Sequence, residues 1–284
     1  MLADALSSVA AQGFGSVEHI IVDGGSEDGT LEMLQGHPEV IVLNERSGNL
    51  YAAINLGIER ASGDVISLLN SDDQYAPGAF SAIAPIFAQG SQADVACGFA
   101  ELFDETGVTA RFDDKRDLML DPHAALIGAC ITNARFFRAS VFRRVGLFST
   151  GYSIVADRDY LVRILIAGLR TIPVDHLVYR YRRHMGSLTF AKGAEREEPI
   201  RLELLKLARA VIAKPDACAE LRRKARVLEG LCLATLVTNR LRAGKLGGAL
   251  ARLLTQDGRI TAGPLRAVGA LCLDRFVLDR SRWR

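Results

Sequence analysis

Four short stretches of the chain combine acidic, amide, hydroxyl and basic side chains in ways that suit phosphate and proton chemistry. The first is Asp23-Gly24-Gly25-Ser26-Glu27-Asp28-Gly29-Thr30. A carboxylate followed by residues small enough to let a ligand reach the backbone suits nucleotide binding. Its glycine spacing matches neither GxGxxG nor the P-loop, and an Asp-capped strand-to-helix turn looks the same. The second is Leu68-Leu69-Asn70-Ser71-Asp72-Asp73. Adjacent carboxylates repel each other unless a cation or hydrogen-bond donors stand beside them. Hard oxygen ligands plus a phosphate are the usual setting for Mg²⁺ or Mn²⁺, while a solvated turn is the plainer alternative. The third, Ala156-Asp157-Arg158-Asp159, opens an amphipathic segment. The helix dipole there favours an ionised carboxylate, either as a general base or as a simple cap. The fourth, Tyr181-Arg182-Arg183-His184-Met185-Gly186-Ser187, sets guanidiniums and an imidazole beside small residues. That cluster fits a departing diphosphate, or a solvated basic loop.

The elements that must carry these stretches can be read from periodicity. Short β-branched runs at 17–22, 40–43, 64–69 and 94–99 predict strands, and 28–35, 49–61 and 77–88 predict helices. Ser26 is the expected N-cap of the first helix. Strands alternating with helices favour a parallel sheet of βαβ units with ligands at the carboxyl ends of the strands, where the first two stretches fall. Past about residue 193 the composition turns to Leu, Ala and Arg, and helices are expected near 200–213, 217–243, 245–254 and 263–278. The expected organisation is one α/β domain over 1–193 and a helical region over 194–284. Charge follows the same division. Residues 1–194 hold 16 Lys+Arg against 23 Asp+Glu, a net −7, and residues 195–284 hold 19 against 10, a net +9.

Composition bounds the class of protein. Of 284 residues, 49% are hydrophobic and 24% charged, which excludes a disordered chain and supports a buried core. No apolar run reaches the roughly 18 residues of a membrane-spanning helix, and the first residues carry no signal pattern. Five cysteines (Cys97, Cys130, Cys218, Cys232, Cys272) are scattered without CxxC spacing. That argues against a disulfide framework or structural zinc and for a reducing, cytoplasmic setting. The basic clusters Arg222-Arg223-Lys224-Arg226 and Arg280-Ser281-Arg282-Trp283-Arg284 suit peripheral contact with anionic lipid, or equally a packing or homodimerisation face. Few aromatics interleave with that charge, so nucleic-acid binding is not expected.

In order along the chain, these stretches resemble family 2 glycosyltransferases with the GT-A fold. Val17 to Thr30 is similar to the family's VVDdGStDGT segment, and Ser47 to Ile58 to its SGiYdAmNkGi segment. Ala61 to Asp73 resembles AtGdvi.fLNsDD, a variant of the DxD motif. Phe136-Phe137-Arg138, Val145 to Phe148 and Ala156-Asp157 resemble the approach to the catalytic-base aspartate, and Tyr181 to Ser187 resembles yR.HpgSlS. The resemblance covers about residues 1–190. It implies a Rossmann-like, mostly parallel sheet flanked by helices. It further implies inverting transfer of a sugar from a UDP- or GDP-sugar to a hydroxyl of a glycan or lipid-linked acceptor, with Mg²⁺ or Mn²⁺. Asp23, with Gly24 and Ser26, would meet the nucleotide base, and Asn49 and Asn55 would belong to the donor site. Asp72 and Asp73 would hold ribose and metal, Arg182 and His184 the diphosphate, and Asp157 would be the base.

Three departures from the family pattern stand out. The chain opens at Met1-Leu2-Ala3-Asp4, already inside the helix that follows the family's first strand. A longer natural N-terminus, or another segment filling that place, is the expectation, since losing a central strand strands backbone donors and acceptors. Gly24 replaces the second carboxylate of the first segment, and Asn70 replaces the leading carboxylate of DxD. A non-catalytic binding or scaffold protein on the same fold is the alternative function. A nicotinamide dehydrogenase is disfavoured by the absent GxGxxG.

Overall fold

A computed structural model describes residues 1–128, 131–186 and 194–242. The chain divides into two compact units, Met1–His184 and Met185–Arg284. In the first unit the strands are β1 (His19–Asp23), β2 (Val40–Asn44), β3 (Val65–Ser67), β4 (Gln74–Tyr75), β5 (Val95–Asp104), β6 (Gly107–Phe112), β7 (Arg135–Arg138) and β8 (Thr171–Arg182). Its helices are α1 (Leu2–Ala10), α2 (Thr30–Gln35), α3 (Leu50–Arg60), α4 (Ala79–Ile83), α5 (Lys115–Leu118), α6 (Pro122–Leu126), α7 (Ala139–Val145) and α8 (Ala156–Ile166).

The strands form a mixed pair of sheets. β1 and β2 pair in parallel, from His19 opposite Val40 to Asp23 opposite Asn44. A six-stranded sheet runs β3-β7-β5-β8-β4, with β6 also on β5. Only β5 and β8 are parallel within it; β3–β7, β7–β5, β5–β6 and β8–β4 are antiparallel. The sheet is thus less parallel than alternating strands and helices suggest: β6 folds straight back on β5 as a hairpin, and β7 and β4 run against the strands they join. β1 and β3 both lie at sheet edges, and Ile20, Ile21, Val22, Val65 and Ile66 are only half-buried.

The core follows the two-residue period of strands. Neighbouring Phe136 and Phe137 on β7 point to opposite faces of the sheet. Phe136 packs with Tyr75 and Phe80, ring centroids 5.9 and 6.1 Å away, in a cluster with Ala96, Ala100, Val178 and Tyr179. Phe137 meets Phe142 at 5.7 Å and Tyr160 at 5.8 Å beneath α7 and α8. α1 covers the β4 end: the Tyr75 N–H donates to the Ser8 hydroxyl at 3.1 Å. Buried Gln12 donates to the Ala76 carbonyl (3.0 Å) and accepts from the Phe80 N–H (3.2 Å).

In the second unit, α9 (Ala194–Ala213) and α10 (Ala219–Arg242) run antiparallel, joined by Arg209–Glu229 (3.0 Å) and Arg240–Glu198 (2.9 Å) across buried Leu207, Val211, Leu221, Leu228 and Leu236. The helices expected at 245–254 and 263–278, and the Arg280–Arg284 cluster, lie outside the described residues. No helix among the described residues is long and apolar enough to cross a membrane.

Candidate active site

Asp23 ends β1 and folds the chain back on itself. Its Oδ1 accepts from the N–H groups of Gly25 and Ser26, both at 2.8 Å, and its Oδ2 from the Ser26 hydroxyl at 2.6 Å. The Ser26 hydroxyl is the main reason this carboxyl lies below the usual range, with burial opposing and Arg46 assisting. Gly25 takes a φ of 97°, which only glycine adopts at little cost. Ser26 is therefore spent on Asp23, and α2 begins four residues later after Gly29, without a side-chain cap. The helix N-cap expected of Ser26 is not what it does. Gly24 leaves the backbone beside Asp23 open, its nearest neighbour being the Glu45 carbonyl.

The second carboxylate pair splits by environment. Asp73 is fully buried, and its Oδ2 accepts from the Tyr179 hydroxyl (2.6 Å) and Asn70 Nδ2 (2.9 Å). Its Oδ1 accepts from the Arg182 N–H at 2.7 Å. Burial outweighs those donors and pushes its carboxyl up to about 6. Three donors leave about one of the carboxylate's four lone-pair sites uncommitted. Asp73 ties the loop after β3 to β8. Asp72 is partly exposed and lies 2.9 Å from Nε2 of His184, which follows β8. Arg182 locks the same corner: Nε donates to the Asp72 carbonyl at 2.9 Å, Nη2 meets Asp4 of α1 at 2.6 Å, and its guanidinium lies 4.8 Å from the centre of the Phe103 ring.

Mn²⁺ is a hard ion that prefers oxygen donors but also takes imidazole, so a carboxylate and an imidazole 2.9 Å apart are compatible with it. Among the described residues no group of three or more His, Cys, Asp or Glu could hold a metal. A cation here would therefore need donor phosphate oxygens or water to complete its shell. His184 as a ligand was not an expectation from the sequence. Its signal was present in its place after Tyr181-Arg182, but only the fold sets it against Asp72.

Asp157 sits in the first turn of α8. The Arg158 N–H donates to its Oδ1 at 2.7 Å. Its surroundings raise the carboxyl above the ordinary range, burial outweighing the Arg158 charge. The Arg158 guanidinium reaches away, to the carbonyls of Ala125 (3.2 Å) and Gly128 (2.8 Å) after α6. Asn49 and Asn55 are both held by protein contacts. Asn49 N-caps α3, accepting from Tyr51 (2.9 Å) and Ala52 (3.2 Å), and donates to the Thr150 carbonyl at 3.1 Å. Asn55 donates to the Phe148 carbonyl (2.8 Å) and accepts from its N–H (2.9 Å). Both amides engage the loop before α8, not an open pocket.

Glu18, one residue ahead of β1, accepts from the Ser62 N–H at 2.7 Å, which places the starts of β1 and β3 together. Asp23 ends β1 and the Asn70–Asp73 loop follows β3, so each stands at a strand's carboxyl end, where nucleotides bind in open α/β sheets.

Comparison with known proteins defines the class. The model of glycosyl transferase family 2 matches residues 1–146. The chain belongs to that family. An uncharacterized glycosyltransferase of Mycobacterium tuberculosis is 29% identical over 163 residues, covering 56% of this chain and 61% of that protein. A PGL/p-HBAD biosynthesis glycosyltransferase of Mycobacterium bovis is 26% identical over 164 residues, covering 56% and 62%. The chain thus spans about three fifths of the curated relatives it matches. Among solved structures, S. aureus TarS 1-349 in complex with UDP superposes with a TM-score of 0.60 at 16% identity, covering 94% of this chain and 77% of that one. Mannosyltransferase PcManGT of Pyrobaculum calidifontis, in complex with GDP-Man and Mn²⁺, gives 0.59 at 16%, covering 96% and 77%. These likenesses define a GT-A-like fold.

Proposed function

We propose that this chain transfers a sugar from a nucleoside-diphosphate donor to an acceptor hydroxyl by a single inverting displacement. The observation that carries the reading is the Asp72–His184 pair, brought together across 112 residues at the carboxyl end of the sheet. Asp23 and the open backbone at Gly24 support a nucleotide base there. Asp72 and His184 would hold a divalent cation, which when bound would neutralise charge on the diphosphate. Asp157 takes the proton of the acceptor hydroxyl as its oxygen bonds to the anomeric carbon, while the bond to the diphosphate breaks and the nucleoside diphosphate leaves. Burial makes Asp157 a better base than a solvated aspartate. Arg182 holds the Asp72 corner rigid, its own hydrogen bonds directed to the protein.

A glycan or lipid-linked acceptor agrees with the PGL/p-HBAD biosynthesis for which the Mycobacterium bovis relative is named. The basic stretch of α10 gives weaker support to contact with anionic lipid, since Arg222 donates to the Lys214 carbonyl and Arg223 pairs with Glu220. The test is release of nucleoside diphosphate from a panel of UDP- and GDP-sugars with Mn²⁺, for the native chain and Asp157→Asn. Turnover by the native chain, with a loss of about 10²–10⁴-fold in the variant, is expected for a general base. Full turnover by Asp157→Asn would contradict the assignment, and no turnover by either, with nucleotide still bound, would favour the scaffold alternative.

A further inference from the structure

We infer that the amide and hydroxyl side chains of α3 form a clasp that positions Asp157, so that Asn49, Tyr51 and Asn55 are positioning residues of the reaction. This deepens the proposed function and rests on Asp157 as its base. Residues 146–155, between α7 and α8, contain no helix or strand, so their backbone groups need partners from elsewhere. α3 supplies them. Tyr51 and Asn55 are four apart and share one helix face. The Tyr51 hydroxyl donates to the Ile154 carbonyl at 2.6 Å, Asn55 makes a two-way pair with the Phe148 backbone, and Asn49 donates to Thr150.

The loop is gripped from its far side as well. Arg163 of α8, fixed by Asp159 at 2.9 Å, donates to the carbonyls of Val145 (2.6 Å) and Leu147 (2.8 Å). The Phe148 ring stacks 4.2 Å from Tyr160 and 5.9 Å from Tyr51. The last clasp bond lands on Ile154, three residues ahead of Asp157. Displacing that entry by an ångström would displace the base by a similar amount, and such shifts cost up to about a hundredfold in rate.

Two variants separate this from a donor-binding role. Asn55→Asp sets an oxygen against the Phe148 carbonyl, and Tyr51→Phe removes one hydroxyl while keeping the ring. We expect turnover at saturating donor to fall about tenfold or more, nucleoside-diphosphate affinity to stay within about twofold, and amide exchange over 148–157 to quicken. In an Asp157→Asn background the further loss should be less than about twofold, because groups acting through one base are not additive. Weakened nucleotide binding with turnover intact would overturn the proposal by placing these side chains in the donor site. Losses that multiply fully in the Asp157→Asn background would also overturn it. Unchanged turnover on Asp157→Asn alone would remove the base assignment, with the exchange result still reporting the clasp.

Discussion

Asp73 and Asp157 are both lifted by burial, yet their surroundings differ. Asp73 takes three donors on its two oxygens and organises the corner that holds Asp72. Its carboxyl titrates near 6 against about 3.8 for an ordinary aspartate. The folded chain therefore holds this proton more tightly than the unfolded chain does. Stability linked to it is fully present below about pH 4 and is lost as pH rises through 6, by about 3 kcal/mol in all. A ¹³C-carboxyl titration should show that midpoint, with Asp73→Asn abolishing it; a midpoint below 4 would contradict the buried network. Asp157 predicts an acid limb of the rate profile above the usual carboxylate range, measured as kcat against pH. The residue types at these places were legible in the sequence, but their partners were not. Asn49 and Asn55 bind backbone groups 101 and 93 residues away, and no local pattern encodes a carbonyl acceptor.

β1, β2, β3 and the start of β5 were legible from β-branched runs, and α3 from its apolar period, while its Asn49 cap was not read. β4, β6, β7 and β8 were not. β4 has two residues, and β8 carries Pro173 and the polar pair Asp175-His176 among its apolar residues, while its arginines drew attention as chemistry. The β5–β8 contact explains Gly98, where the parallel ladder slips register. A Cβ there would lie 2.9 Å from the His176 carbonyl and closer still to the methyls of fully buried Val178. Gly98→Ala should cost about 2–3 kcal/mol in urea unfolding by forcing these strands apart. A change within about 0.5 kcal/mol would mean the strands are less tightly apposed than described.

At the scale of the whole molecule, every residue assigned to chemistry belongs to the first unit, Met1–His184, while the helical pair contributes packing and basic charge. Among the described residues β1 and β3 are sheet edges, and the proposed nucleotide site draws on the ends of both strands. The central claim is that Asp72 and His184 jointly hold a cation on a nucleoside diphosphate. It is tested most directly by calorimetric titration of UDP and GDP with and without Mn²⁺, on the native chain, Asp72→Asn and His184→Ala. The account predicts at least about tenfold tighter binding with Mn²⁺ for the native chain, a difference of roughly 1.4 kcal/mol, and none for either variant. Binding indifferent to Mn²⁺, or Mn²⁺ enhancement that survives both substitutions, would contradict it.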